Sequence, residues 1–173
     1  LLLYIHFPRA TVPSIVFYNL HNCAAVHFIE ADNSSYLCSN RKDSTYIYMK
    51  NIAETYWKRK KMPIPHLLLS DYEGRNVWSH KGIVHWRGMN ICMVTDGYWR
   101  NKSATNLLDI DYMYLCKGYK GEIAPLQKLF HIKRIVLDAS LGDYKSKAYK
   151  EECKTLGLDY IDISEKGSFR ILL

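Results

Sequence analysis

The residues that first look chemical lie in FYNLHNCAAVHFI, where His21, Cys23 and His27 fall within seven positions between two apolar runs. Imidazole and thiolate are zinc ligands, and a thiol beside an imidazole is also the pair that nucleophilic catalysis uses. Zinc takes three or four ligands, which usually come as closely spaced pairs. Elsewhere only His80 and His85 are near one another, and no x-x-x-H pattern joins them. A Cys–His nucleophile needs in addition an orienting third group and an oxyanion hole. The chain has no G-x-S-x-G, no P-loop and no G-x-G-x-x-G. The stretch therefore reads as a hairpin with an exposed histidine and a packed thiol, with no metal, cofactor or catalytic residue assigned. Asp96, Asp138 and Asp143 follow or end near apolar runs. Strand-end carboxylates of this kind hold metals in nucleases, but more often they cap helices and form turns.

The elements that would carry these residues follow from periodicity. Ser14 to Tyr18 and Ala24 to Ile29 read as strands joined by the polar link NLHNC. Alternation puts Ala25, His27 and Ile29 on one face, opposite Val26 and Phe28. Tyr36 to Ser39 reads as a third strand. Tyr46 to Lys61 has helical spacing, with Met49, Ile52, Ala53, Tyr56 and Trp57 on one apolar face, a cap at Asp43 or Ser44, and a stop at Pro63 and Pro65. His66 to Leu69 reads as a short strand and DYEGRN as a turn. Gly82 to Trp86 and Asn90 to Thr95 form a second hairpin around Arg87-Gly88. Residues 96 to 106 are polar, irregular and exposed. The last third predicts strands at Tyr112 to Cys116, Ile135 to Leu137, Tyr160 to Ile163 and Phe169 to Leu172, the last two around the turn SEKG. Between them lie helices at Glu122 to Phe130 and Lys145 to Leu156, the latter capped by Asp143 and stopped at Gly157. Hairpins followed by β-α units give a mixed-sheet α/β domain spanning residues 1–173.

With 173 residues, 48% hydrophobic and 24% charged, the chain can bury one real core and is not a disordered polymer. No run approaches the ~20 apolar residues that cross a bilayer. The opening LLLYIHF, without a charged n-region, is expected as a first strand in an excised piece of a longer protein. The five cysteines are odd in number and lack C-x-x-C spacing, so free thiols are expected. The net charge of +7 favours a polyanionic partner. WKRKK (Trp57 to Lys61) and KGYK (Lys117 to Lys120) place Lys58, Arg59, Lys60, Lys61, Lys117 and Lys120 beside Trp57 and Tyr119, a pairing common on nucleic-acid surfaces. A basic helix end is also what the helix dipole alone favours.

The run KRIVLDASLGDYKSKAYKEECKTLGLDYIDISEKGSFRIL resembles the end of the ComEC-type DNA-uptake channel proteins of the Bacteroidetes. In them a strand ending in D-A-S or D-S-S precedes a Lys-rich helix with a Cys, then a short strand and an E-x-G-[AS]-F turn. Ile135 to Ser140, Glu152, Cys153, Glu165, Gly167 and Phe169 match. SIVFYNLHNCAAVHFIEA stands where that family carries I-V-Y-N-x-x-x-x-S-A-I-D-F-I. The resemblance implies a metallo-β-lactamase-like sandwich of mixed β-sheets flanked by helices, in truncated form. It also implies a parent channel in the inner membrane that passes single-stranded DNA, with this domain soluble and on the periplasmic side.

Catalytically equipped relatives carry D-V-G-Q-G-D-A on the first hairpin, D-T-G on a third strand, then H-x-H-x-D-H and H-H-G-S, which hold two metal ions against a phosphodiester. Here Asn19 and Ala24 replace the two hairpin aspartates and Cys38 falls near the third. LLLSDYEGR offers Asp71 and Glu73 without histidines, and KGYKG replaces H-H-G-S. The expectation is a non-catalytic domain that handles DNA or packs against its own channel. The rivals are a nuclease using carboxylates such as Asp71, Glu73 and Asp138, and an interaction module without DNA contact.

Overall fold

Alternation in SIVF and AVHFI builds the first hairpin, β1 (Ser14–Phe17) and β2 (Ala25–Ile29), antiparallel with Val16 opposite His27. The computed structural model describes residues 12–40, 47, 51, 54, 55, 57–59, 61–68 and 71–173. The predicted opening strand, the Asp43 or Ser44 cap, the apolar positions 49, 52, 53 and 56, and Lys60 lie outside the described residues. The chain continues through β3 (Ser35–Ser39), β4 (His66–Leu68), β5 (Tyr72–Glu73), β6 (Val77–His80), β7 (Ile83–Trp86), β8 (Met89–Val94), β9 (Leu108–Ile110), β10 (Tyr112–Leu115), β11 (Phe130–Ile132), β12 (Arg134–Leu137), α1 (Asp143–Leu156), β13 (Asp159–Asp162), α2 (Ile163–Lys166) and β14 (Phe169–Leu172). The described positions between 47 and 59 are helical.

One sheet runs β14-β1-β2-β3-β4 and a second runs β13-β12-β10-β8-β7-β6-β5. Both are mixed. In the first, β3 and β4 are parallel and the other pairs antiparallel. In the second, β8, β10, β12 and β13 are parallel. The faces follow from the alternation. Ile15, Phe17, Val26 and Phe28 of the first sheet meet Val84, Trp86, Ile91, Tyr114 and Val136 of the second in one core. The outer face of the first sheet is covered by Trp57 of the helical segment, over Val16, Ala25 and Leu37. The outer face of the second is covered by Tyr149 and Cys153 of α1 and by Leu126 of the 3₁₀ turn Ala124–Lys128. The molecule is thus a sandwich of two mixed sheets with helices on both sides, as the sequence leads one to expect.

Several elements differ from expectation. DYEGRN contains β5, and β6 follows it as a further hairpin strand on β7. Leu108–Ile110 and Phe130–Ile132 form a small parallel pair of their own. The segment predicted as a helix from Glu122 is a 3₁₀ turn, because Pro125 suits a first turn but the run is too short to propagate. Asp143 does not cap α1. Gly142 holds the cap position without a side-chain bond, and Asp143 lies in the first turn. SEK is helical rather than part of a turn, with Gly167 as its C-cap: Asp162 caps α2 by accepting from the Ser164 backbone N–H, and α2 carries the chain from one sheet to the other.

This topology collects chain ends. The carboxyl ends of β8, β10, β12 and β13 lie together because those strands are parallel. The link from Tyr18 to Ala24 lies beside the end of β3, since Ala25 pairs with Ser39. Ligand sites in α/β sheets form at such carboxyl ends.

Candidate functional site

Where the two sheets part at this end, a cleft of about 480 Å³ opens. The first sheet contributes Cys38 and Asn40 to its wall, and the second contributes Asp71, His80, Lys81 and Thr95. Asp71 Oδ2 is 2.6 Å from His80 Nδ1, and Asp71 Oδ1 accepts the backbone N–H of Lys81 at 3.2 Å. The Lys81 N–H leads the effects that hold the Asp71 carboxyl below its ordinary range, and the bond to His80 adds to it. Cys38 faces the cleft as a thiol, not a thiolate: burial pushes it up to about 12. Its hydrogen points to Met93 Sδ at 3.7 Å.

The three residues of the opening motif do not converge on this cleft. His21 is exposed on the link. Cys23 is buried, and burial, reinforced by the charge of Asp138, pushes its thiol up to about 11. His27 points to the outer face of the first sheet, where it is fully buried against Tyr18 and Trp57. Tyr18 Oη lies 2.7 Å from His27 Nδ1 and accepts the Trp57 indole N–H at 3.2 Å. Burial lowers the imidazole to about 3, so it stays neutral. The buried histidine is thus a packed polar group beneath the helical segment. On the hairpin link, Asn19 donates its backbone N–H to Ser168 Oγ at 3.0 Å, and Ala24 donates its own to Asn40 Oδ1 at 2.9 Å.

The carboxylates considered for metal binding are likewise separate. Asp138, at the end of β12, is buried and accepts hydrogen bonds from the hydroxyls of Tyr114 and Ser140. Burial raises it from its ordinary value against those bonds. It ties β10 to the turn after β12. Asp71 lines the cleft, and Glu73 is exposed on β5 opposite Trp78. Among the described residues, no three His, Cys, Asp or Glu side chains come together as a metal site would require.

The basic residues divide between two ends of the sandwich. Lys58, Arg59 and Lys61 are exposed on the segment that returns the chain to the start of β4, away from the cleft. Lys58 pairs with Glu54 at 2.9 Å. Lys117 and Lys120 are exposed in the loop after β10, at the cleft end. The aromatic neighbours expected to stack on bases cannot do so. Trp57 and Tyr119 are each 3% exposed, held inside the outer core layers. For Trp57 the reason was visible in the helical spacing, which puts it on the apolar face.

Among the described residues no helix is long and apolar enough to cross a membrane. No curated protein and no solved structure matches the chain. A family model, that of the ComEC C-terminal domain, matches residues 15–173, from β1 through the cleft-forming hairpins to the last strand. The chain therefore belongs to the ComEC C-terminal domain family, a part of membrane-bound competence proteins that serve DNA uptake.

Proposed function

We propose that this domain serves DNA uptake without metal-dependent catalysis, holding single-stranded DNA weakly and without base preference beside the channel of its parent protein. One observation carries the reading. Among the described residues the carboxylates that could replace a metal site, Asp71, Glu73 and Asp138, do not converge, and the resemblance puts Asn19 and Ala24 at the hairpin aspartates of catalytic relatives, with Cys38 near the third. The net charge of +7 supports a polyanionic partner, and the sequence offers two alternative sets of contacts for it, Lys58, Arg59, Lys60 and Lys61 before β4 or Lys117 and Lys120 after β10. The parent would lie in the inner membrane with this domain on the periplasmic side, where buried thiols survive unpaired.

The test is metal content after dialysis against zinc and manganese, together with a cleavage assay and a single-stranded DNA shift at ~50 mM salt. The expected result is no retained stoichiometric metal, no cleavage, and a shift that weakens as salt rises. About one metal per chain, lost on Asp71→Asn or Glu73→Gln, would establish the nuclease instead. Absence of any shift would leave an interaction module.

A further inference from the structure

We infer that the DNA-binding surface is the rim of loops around the carboxyl end of β8, formed by Lys81, Tyr98, Arg100, Lys102, Lys117 and Lys120, and not the basic end of the helical segment. This rests on the reading of the domain as a single-stranded DNA binder and names its surface.

Two lysine–glycine pairs build the rim. Lys81-Gly82 turns between β6 and β7, and Lys117-Gly118 follows β10. Both glycines have positive φ, 82° and 110°. A Cβ on Gly82 would stand 2.7 Å from the carbonyl oxygen of Met93, and one on Gly118 would stand 2.3 Å from that of Thr95. Only glycine lets both turns press on the end of β8. Each close approach delivers an exposed lysine to the same place.

The loop that leaves β8 completes the surface. Trp99 anchors it by packing edge-on against Phe130 at 5.1 Å, and Tyr98 accompanies it with its own backbone N–H on Asp96 Oδ1 at 2.8 Å. Tyr98 is 42% exposed, with Lys102 Nζ 3.3 Å and Lys81 Nζ 5.8 Å from its ring centre. Arg100 and Lys120 both line a smaller hollow of about 210 Å³, together with Glu122. Among the described residues none of these five cations has an acidic side chain within ion-pair distance, whereas Lys58 is paired with Glu54. Unpaired cations beside an exposed, anchored aromatic ring are what a sequence-tolerant single-strand binder needs. The cations follow phosphates, and the ring supplies a surface that any base can meet.

The experiment measures binding of a fluorescent oligothymidylate to the chain across a salt series, with melting temperature checked for every variant. Replacing Lys81, Lys102 and Lys117 together by Ser should lower the magnitude of the salt slope by about 2, at ~0.7 per phosphate. Tyr98→Ala should weaken binding about fivefold or more and leave the slope unchanged. Replacing Lys58, Arg59 and Lys61 by Ser should change neither. Should a rim variant melt early, photocrosslinking of bromouracil-substituted single strands to the unaltered chain decides, with label expected in the peptide holding residues 98 to 102. Wild-type binding that survives the rim substitutions and is lost with the helix-end substitutions, or label on the helix end, overturns the surface but keeps the DNA reading. No wild-type binding at ~50 mM salt overturns the DNA reading itself.

Discussion

The hydroxyl of Tyr18 lies 2.7 Å from Nδ1 of His27, inside the layer between the first sheet and the helical segment. The same hydroxyl oxygen accepts the Trp57 indole N–H, so the hydroxyl meets the imidazole and the indole at once. One side chain therefore satisfies two buried polar groups from two elements. Tyr18→Phe keeps the ring and strands both. Leaving buried polar atoms without partners costs about 1–3 kcal/mol each. The variant should lose about 2 kcal/mol or more in urea denaturation, and an unchanged midpoint would show that the network contributes nothing to stability.

The same histidine sets a pH response. Its folded value is lowered to about 3 by burial, while an exposed histidine titrates near 6.5. Between those values the unfolded chain binds a proton that the folded chain does not. Stability from this group is complete above pH 6.5 and is lost as pH falls towards 3, at up to about 1.4 kcal/mol per pH unit. Asp138 acts in the opposite sense, because burial raises its carboxyl. The comparison must therefore be between wild type and His27→Gln. Unfolding midpoints from pH 7 to pH 4 should converge as pH falls, and parallel curves would rule His27 out as the source.

Much of this fold was legible from residue patterns. The first hairpin, the Arg87-Gly88 hairpin and α1 each offer enough residues for a period of two or 3.6 to show. Short elements such as Tyr72–Glu73 and Leu108–Ile110 offer two or three residues, too few for any period, and exist because a partner strand pairs with them. The cleft was half legible. Cys38 could be placed on a strand from the pattern, but the Asp71–His80 pair depends on the β5–β6 hairpin that periodicity could not reveal. The rim was legible only in part. KGYK offered Lys117 and Lys120, but Lys81 stands alone in sequence, and only the two glycine contacts on β8 bring it beside them. The conspicuous run WKRKK drew the eye because its charges are adjacent along the chain.

The cysteines offer a test that does not depend on function. All five are free and buried, and burial raises every thiol, to about 11 or 12 for Cys23, Cys38, Cys92 and Cys153 and well above its ordinary value for Cys116. The reactive species is the thiolate, so a folded sample at neutral pH should react slowly with a thiol reagent. After denaturation without reductant it should yield five equivalents. A shortfall of two would reveal a disulfide and contradict the free thiols of the core. Rapid reaction when folded would mean that the sheets open more readily than their packing implies.

Gly118 and Gly88 separate backbone strain from contact. Both have positive φ, 110° and 79°, so alanine is disfavoured at either. At Gly88 an added Cβ meets nothing within 4 Å, and at Gly118 it stands 2.3 Å from the Thr95 carbonyl oxygen. Gly88→Ala should therefore cost about 1 kcal/mol, the ordinary penalty of a left-handed position. Gly118→Ala must in addition push the Lys117–Lys120 loop off the end of β8, and should cost about 3 kcal/mol or more. The displaced loop carries two of the rim cations, so Gly118→Ala should also weaken oligothymidylate binding under conditions where the variant is still folded. Gly88→Ala, at the opposite end of β8, should leave binding unchanged. Equal destabilisation by the two substitutions would show that the contact with Thr95 does not hold the loop. Strong destabilisation with unaltered binding would show that the loop is fixed by that contact but that its lysines take no part in holding the strand.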